Sequence, residues 1–330
     1  MTDAAGSIRP ARLTDRAALV ALSRQVHEGS EGFRRSLGVP AHSSAPPQIS
    51  LAALMPSWLP LRSPSVHMVA EWKGQLVGSC RAIEEPHRDD WVITELDATE
   101  SPMASEVRFA LLRSVIEEGG RRNVPRYHAA CADVPENMEL FGQLNFMAYA
   151  QEEIWYRPPG RPAEGSSDDL QPATPPDAWH LFDLWTHTTP PAIARIEAYG
   201  AEDWEPVGHE GVVPRSSLNP LLHFSAVSGW LLPEGQRVAG FAQHGACRAG
   251  PHYLRFLVRD GADGASFLRA VLGAVGDEAW SAGILAPVRT YESTGRQAAE
   301  AAGFEAVGQV SMLVREVRAS ARQPAMVPAV

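Results

Sequence analysis

Apolar positions alternate along some stretches of the chain and recur every three or four residues along others, and the same succession of patterns comes twice. Ser7 to Leu13 alternates and predicts a strand. Asp15 then precedes an apolar stripe of Ala18, Leu19, Leu22 and Val26 at helical spacing. Met68–Trp72, a Lys73-Gly74 turn and Leu76–Ile83 predict a hairpin, with Trp91–Leu96 as a third antiparallel strand. Val107–Glu118 has helical spacing and stops at Gly119-Gly120, where glycine suits a helix end. Tyr127–Ala132 predicts a buried strand, Glu136–Leu144 a short helix and Phe146–Tyr156 a closing strand or strand pair. Glu28–Pro64 reads as irregular, rich in Ser, Pro and Gly, with one helical patch at Ile49–Leu54.

The second half repeats this order. A helix is expected over Ala178–Trp185, followed by an irregular stretch and strands near His223–Leu231, Gln236–Gln243 and Tyr253–Val258. A helix at Gly264–Val275, a strand at Ile284–Val288, a helix at Arg296–Ala302 and a strand at Phe304–Val317 complete it. An offset of 162 separates Pro10 from Pro172, Asp15 from Asp177 and Gly78 from Gly240, while 158 separates Phe146 from Phe304. A period this long is domain-sized rather than that of a stacked repeat, whose units run to roughly 20–50 residues. Pro158 to Pro176 is dense in Pro, Gly, Ser and Asp, the composition of a linker. The expected organisation is therefore a first domain over 1–157, a linker over 158–176 and a second domain over 177–330, each with the outline βα(α)βββαβαβ. The fold class is α+β, with a mixed, mostly antiparallel sheet flanked by helices in each domain.

Composition narrows the function. A formal charge of −10 with no basic cluster argues against a nucleic-acid partner. Cys80, Cys131 and Cys247 are too few and too far apart for a disulfide framework or a paired-cysteine metal site, so a reducing cytoplasm and no metal are expected. The N-terminus has no apolar signal core. The most apolar stretch, Leu221–Leu232, is too short to span a bilayer.

The order of elements resembles the GNAT superfamily of acyl-CoA-dependent N-acyltransferases, as a tandem pair covering nearly the whole chain. Ile8-Arg9-Pro10-Ala11 with Asp15 resembles the family's opening, Gly74-Gln75-Leu76-Val77-Gly78 its hairpin, and Leu140–Phe146 and Glu300-Ala301-Ala302-Gly303-Phe304 its late helix and Gly-Phe end. The family's Q/R-x-x-G-x-G/A loop brings backbone N–H groups and a helix N-terminus to the CoA diphosphate. In the first half, anchored on Leu111-Leu112, that slot reads Met103-Ala104-Ser105-Glu106-Val107-Arg108, without glycine and with Glu106 on the phosphate side. In the second, anchored on Phe267-Leu268, it reads Arg259-Asp260-Gly261-Ala262-Asp263-Gly264. The resemblance thus implies that Val258, Arg259, Gly261, Ala262, Gly264 and Ala265 hold acetyl-CoA; a plain glycine-rich turn is the competing reading.

The family's tyrosine, which protonates the leaving thiolate, falls on Phe141 and Ala299, so Tyr291 is the nearest substitute acid. Glu95 and Asp97 lie at i, i+2 on one strand and project from one face, a candidate base for deprotonating an amine, with Glu95 as the residue assigned; an ordinary solvated face or an arginine pair is the alternative. The equivalent second-half strand carries Arg255. His180 and His187, His244 and His252, and the aromatics Trp179, Phe182, Trp185 and Trp204 read mainly as packing or surface groups. The implied reaction is direct attack by an amine of a small molecule or peptide on the thioester in a ternary complex. A non-catalytic scaffold is the other reading.

Overall fold

The computed structural model describes residues 6–28, 65–85, 88–160, 168–204, 216–218, 224–247 and 250–317. The helical patch expected at Ile49–Leu54 lies outside them. The first half contains β1 (Ser7–Pro10), α1 (Arg16–Glu28), β2 (Ser65–Trp72), β3 (Gln75–Glu84), β4 (Trp91–Ala98), α2 (Ala104–Arg121), β5 (Arg126–Ala132), α3 (Pro135–Gln143) and β6 (Met147–Arg157). The second contains β7 (Gln171–Pro172), α4 (Ala178–Thr188), α5 (Pro191–Glu197), β8 (Phe224–Glu234), β9 (Arg237–Cys247), β10 (His252–Val258), α6 (Gly264–Ala274), α7 (Asp277–Ala282), β11 (Ile284–Arg289), α8 (Ser293–Ala301) and β12 (Glu305–Glu316). Helix α5 falls where the sequence pattern gives only an irregular stretch; it is short, and Pro190 and Pro191 open it.

The duplication is visible in local chemistry. In both halves a short strand ending in proline leads to a one-turn 3₁₀ segment whose third residue is aspartate. Asp15 Oδ2 accepts the Arg12 N–H at 2.7 Å and Asp177 Oδ2 the Thr174 N–H at 2.8 Å, so each aspartate fixes the entry to its helix. Gly78 and Gly240 are equivalent too. A Cβ on Gly78 would meet Val107 Cγ1 at 2.7 Å, and one on Gly240 the Phe267 ring at 3.0 Å, because a helix lies hard against the strand at both places.

All twelve described strands form one sheet, in the order β1-β2-β3-β4-β5-β12-β6-β11-β10-β9-β8-β7. The closing strands are exchanged. β12 pairs antiparallel with β5 and β6, and β6 pairs with β11, so each half is completed by the last strand of the other. Apolar residues of β2–β5 pack on α2 and α3 to make one core, and those of β10 and β11 pack on α6 and α8 to make another. A third core, of Leu181, Trp185, Trp204, Phe241 and Leu257, lies under α4 on the opposite face of the sheet. Among the described residues, no helix is long and apolar enough to cross a membrane.

Candidate active site

Among the described strands each half has one parallel pair, and each pair is hydrogen-bonded over only two positions. β4 meets β5 at Trp91–Tyr127 and Val92–His128, and β10 meets β11 at His252–Ile284 and Tyr253–Leu285. Beyond these points the strands run on without pairing, leaving a wedge in the sheet.

The wedge of the first half is bordered by ionisable groups. Register places His67, Arg81 and Glu95 in one row across β2, β3 and β4, with Ser79 and Asp97 in the next row on the same face. Helix α1 lies over this face, with Leu19 packed on Val69. Ser79 donates to Glu95 Oε1, and His67 Nε2 stands 3.5 Å from the same oxygen. Burial works to raise the Glu95 carboxyl, but His67, Ser79 and Arg81 together hold it below the usual carboxylate range. Asp97 moves the other way, pushed up first by burial and then by the charge of Glu95, against the pull of Arg108. Glu95 is thus kept as the ionised carboxylate of the two and Asp97 as the protonated one. Arg108 reaches into the gap from α2, where Nη2 donates to Asn137 Oδ1 at 2.9 Å, and Asn137 Nδ2 in turn donates to the Ala132 carbonyl at 3.2 Å.

The wedge of the second half is closed by charge. Arg255 of β10 forms a two-pronged pair with Glu292, one contact at 2.9 Å. Arg289 joins Glu152 at 3.2 Å and Glu197 at 2.9 Å, and its N–H donates to Glu292 Oε2 at 3.0 Å. Ser217 donates to Glu152 from both its N–H and its hydroxyl, while Tyr149 donates to Glu197. These charges are all buried. They pair with one another across the gap, with Arg255 Nε left without a hydrogen bond among the described residues.

The cofactor residues expected in the second half gather on one strand-to-helix turn. Val258 ends β10 and is buried, Arg259 continues into the loop, and Gly261 takes φ +89°. Gly264 opens α6, where a Cβ would meet Ala298 Cβ at 3.2 Å, so close packing of α6 on α8 accounts for this glycine. Ala262 packs against the core beside it, and Ala265 follows in the first turn. The positive groups of the turn are spoken for. Arg259 Nη2 binds Asp183 at 2.8 Å, and Asp263 accepts the Ser266 N–H at 3.0 Å, setting a carboxylate at the helix N-terminus that a diphosphate would need. Tyr291 stands two residues beyond Arg289 and beside Glu292, with its hydroxyl held protonated to high pH by burial and then by the charge of Glu292.

Glu95 does not join this group. From β4 to β10 the sheet takes five steps, through β5, β12, β6 and β11, which at about 4.8 Å per step is roughly 24 Å. Glu95 and the turn at 258–265 therefore lie far apart, one in each half. A second correction concerns the first-half loop. Val107 packs on Gly78 as Phe267 packs on Gly240, so the turn equivalent to Arg259–Gly264 is Thr99–Ala104, not Met103–Arg108. Glu106 is an exposed residue of the first turn of α2, a helix whose start has no side-chain cap. Phe141 and Ala299, in the positions of the family's tyrosine, are both buried in apolar cores. His67, Ser79 and Arg81 do not stand out in the sequence, although Ser79 and Arg81 alternate along β3 as Glu95 and Asp97 do along β4.

No protein-family model matches the chain, and no curated protein matches it in sequence. Solved structures do match in fold. A tandem GNAT protein from the clavulanic acid biosynthesis pathway superposes with a TM-score of 0.57 at 11% identity, over 94% of this chain and 98% of that one. A GCN5-related N-acetyltransferase from Sphaerobacter thermophilus gives 0.53 at 14% identity, over 94% and 95%. The chain has the tandem GNAT-like fold, with both halves in place.

Proposed function

We propose that this protein is an acyl-CoA-dependent N-acyltransferase, moving an acetyl group from acetyl-CoA to an amine of a small molecule or peptide by direct attack in a ternary complex, and that transfer takes place in the first half. The observation that carries this reading is the Glu95–Asp97 pair at the margin of the first wedge. The amine nitrogen bonds to the acyl carbon, the carbon–sulfur bond breaks, and CoA leaves as the thiolate. Glu95 takes the proton from the ammonium, and its charge is kept available by Ser79 and His67. With Phe141 in the tyrosine position, the first half offers no hydroxyl there to the thiolate. The uncapped start of α2 leaves helix N–H groups open to a diphosphate, whereas Asp263 covers those of α6.

A second reading has a specific observation behind it. Bridges across both gaps, Arg108–Asn137 in one half and Arg255–Glu292 in the other, suit a non-catalytic binding protein. Calorimetric titration with acetyl-CoA and with free CoA separates the two. Micromolar binding that survives Gly264→Glu, with turnover abolished by Glu95→Gln, supports transfer in the first half. Binding lost in Gly264→Glu would return the cofactor to the turn at Val258–Ala265, with Tyr291 as the acid. No heat at millimolar ligand would sink both assignments and leave the binding protein.

A further inference from the structure

The polar face of the first half has no counterpart in the second. Where the first half has His67, Ser79, Arg81, Glu95 and Asp97, register gives the second Gly229, Phe241, Gln243, Arg255 and Leu257. At those five positions of the second half the one full charge, Arg255, is paired with Glu292 through its two terminal nitrogens, while its Nε, like that of Arg81, has no partner among the described residues. In the first half Glu95 is held by Ser79 and His67, but two of its neighbours have no such partner among the described residues. The Asp97 carboxyl, 8% exposed, and the half-buried Arg81 guanidinium make no hydrogen bond or ion pair among the described residues. His67 Nδ1 is buried without a hydrogen-bond partner among the described residues. So is the hydroxyl of Ser23, on the buried stripe of α1 that also carries Leu19 and Val26. Buried polar groups nearly always find partners, so several open ones on one covered face point to a polar ligand.

The arrangement of charge selects the ligand. Arg81 and Glu95 sit directly opposite each other on β3 and β4, and Asp97 lies one pleat along from Glu95. A plain amine would satisfy the carboxyls and leave the Arg81 Nε–H facing nothing. A plain carboxylate would satisfy Arg81 and be repelled by Glu95. A molecule with an ammonium and a carboxylate on the same carbon meets both. We infer that this face binds an α-amino acid, its carboxylate on Arg81 and its ammonium on Glu95 and Asp97, and that this amine is the acceptor. The acceptor role rests on the function proposed above; the binding does not.

The test needs no acyl donor. The protein is titrated with the common L-amino acids, and the best of them is compared with its carboxamide, which keeps the ammonium, and with its N-acetyl derivative, which keeps the carboxylate. Both analogues should bind more than about tenfold more weakly, because each leaves a buried partner group unmatched. Arg81→Gln should abolish the preference for acid over amide while retaining the melting temperature of the parent. An amide that binds as tightly as the acid, or no amino acid binding at millimolar concentration, overturns the inference. Adding acetyl-CoA then separates the two claims. Amino acid binding without transfer sinks the transferase and keeps this site. Transfer only to amines lacking a carboxylate keeps the transferase and sinks this site.

Discussion

Arg255 stands in the second half where Glu95 stands in the first. Each lies on the strand that borders the wedge, opposite Gln243 and Arg81 respectively, and each is three residues before the position paired with Gly240 or Gly78. The exchange inverts the charge at the place where an amine would lose its proton. A carboxylate can accept that proton; a guanidinium, charged at any ordinary pH, cannot. The two halves therefore share a backbone plan and differ in chemistry, the first with a carboxylate at this position, the second with an arginine held in a buried ion pair.

Glu95→Gln should lower amine acylation by about 10²- to 10⁴-fold, the usual contribution of a positioned base. Acetyl-CoA affinity should stay within experimental error, because Glu95 projects from the face of β4 covered by α1, opposite the face on which α2 packs. Single-turnover rates with saturating donor, set beside calorimetric affinity, measure the two effects independently. A variant that loses affinity and keeps its rate would remove Glu95 from the proton transfer.

Glu292→Ala tests whether the second wedge is a structural lock. It leaves the buried Arg255 guanidinium without its ion-pair partner, a change that costs about 3–5 kcal/mol. The urea midpoint should fall accordingly. Replacing both partners, as Arg255→Met with Glu292→Leu, should recover most of the loss, since well-packed apolar residues substitute readily for a buried ion pair. Equal losses in the single and double variants would show that the pair does not act as a unit.

Much of this arrangement is legible in the sequence. Gly78 and Gly240 mark the repeat because a helix crowds each strand there, and Asp15 and Asp177 because each caps the same turn. The first-half loop falls one helical turn from its expected place for a physical reason. Leu111-Leu112 and Phe267-Leu268 are both apolar pairs on amphipathic helices, and such pairs recur with every turn. The open polar face is hidden from the sequence because it is assembled across three strands, from His67, Arg81 and Glu95, and only register brings these together. The strand exchange leaves no mark at all. An alternating strand such as Glu305–Glu316 specifies which of its faces is buried, not which sheet receives it.

Asp97 gives stability a pH dependence of definite sign. Burial and then the charge of Glu95 raise its carboxyl, so the native protein keeps a proton that the unfolded chain releases above about pH 4. The contribution is therefore intact in acid and is lost as pH rises towards the raised ionisation. Asp97→Asn removes that loss, so the variant should gain on the parent as pH increases. A tenfold change in a proton's affinity is worth about 1.4 kcal/mol, which makes a rise of a few degrees in relative Tm the expected size. Melting curves of both proteins from about pH 5 to about pH 9 decide it: a difference that does not change with pH would mean that Asp97 is ionised throughout.

The exchanged strands predict that the halves cannot be parted without unfolding. β12 lies between β5 and β6, and β6 lies between β12 and β11, so removing either half strips ladder hydrogen bonds from the other along three strand edges. Exposed strand edges favour aggregation. Further ties cross the same boundary. Arg88 donates to the Glu197 carbonyl at 2.6 Å and pairs with Asp203 at 2.6 Å, Arg126 donates to the Ile196 carbonyl at 2.9 Å, and Arg296 pairs with Glu153 at 2.8 Å. With a protease site placed between Gly160 and Asp168, the cut chain should still elute as one species at the mass of the whole and separate only in denaturant. Residues 1–157 produced alone should be insoluble or bound to chaperones, and should become soluble when made together with residues 168–330. Two stable, separable fragments would show that each half closes its own sheet.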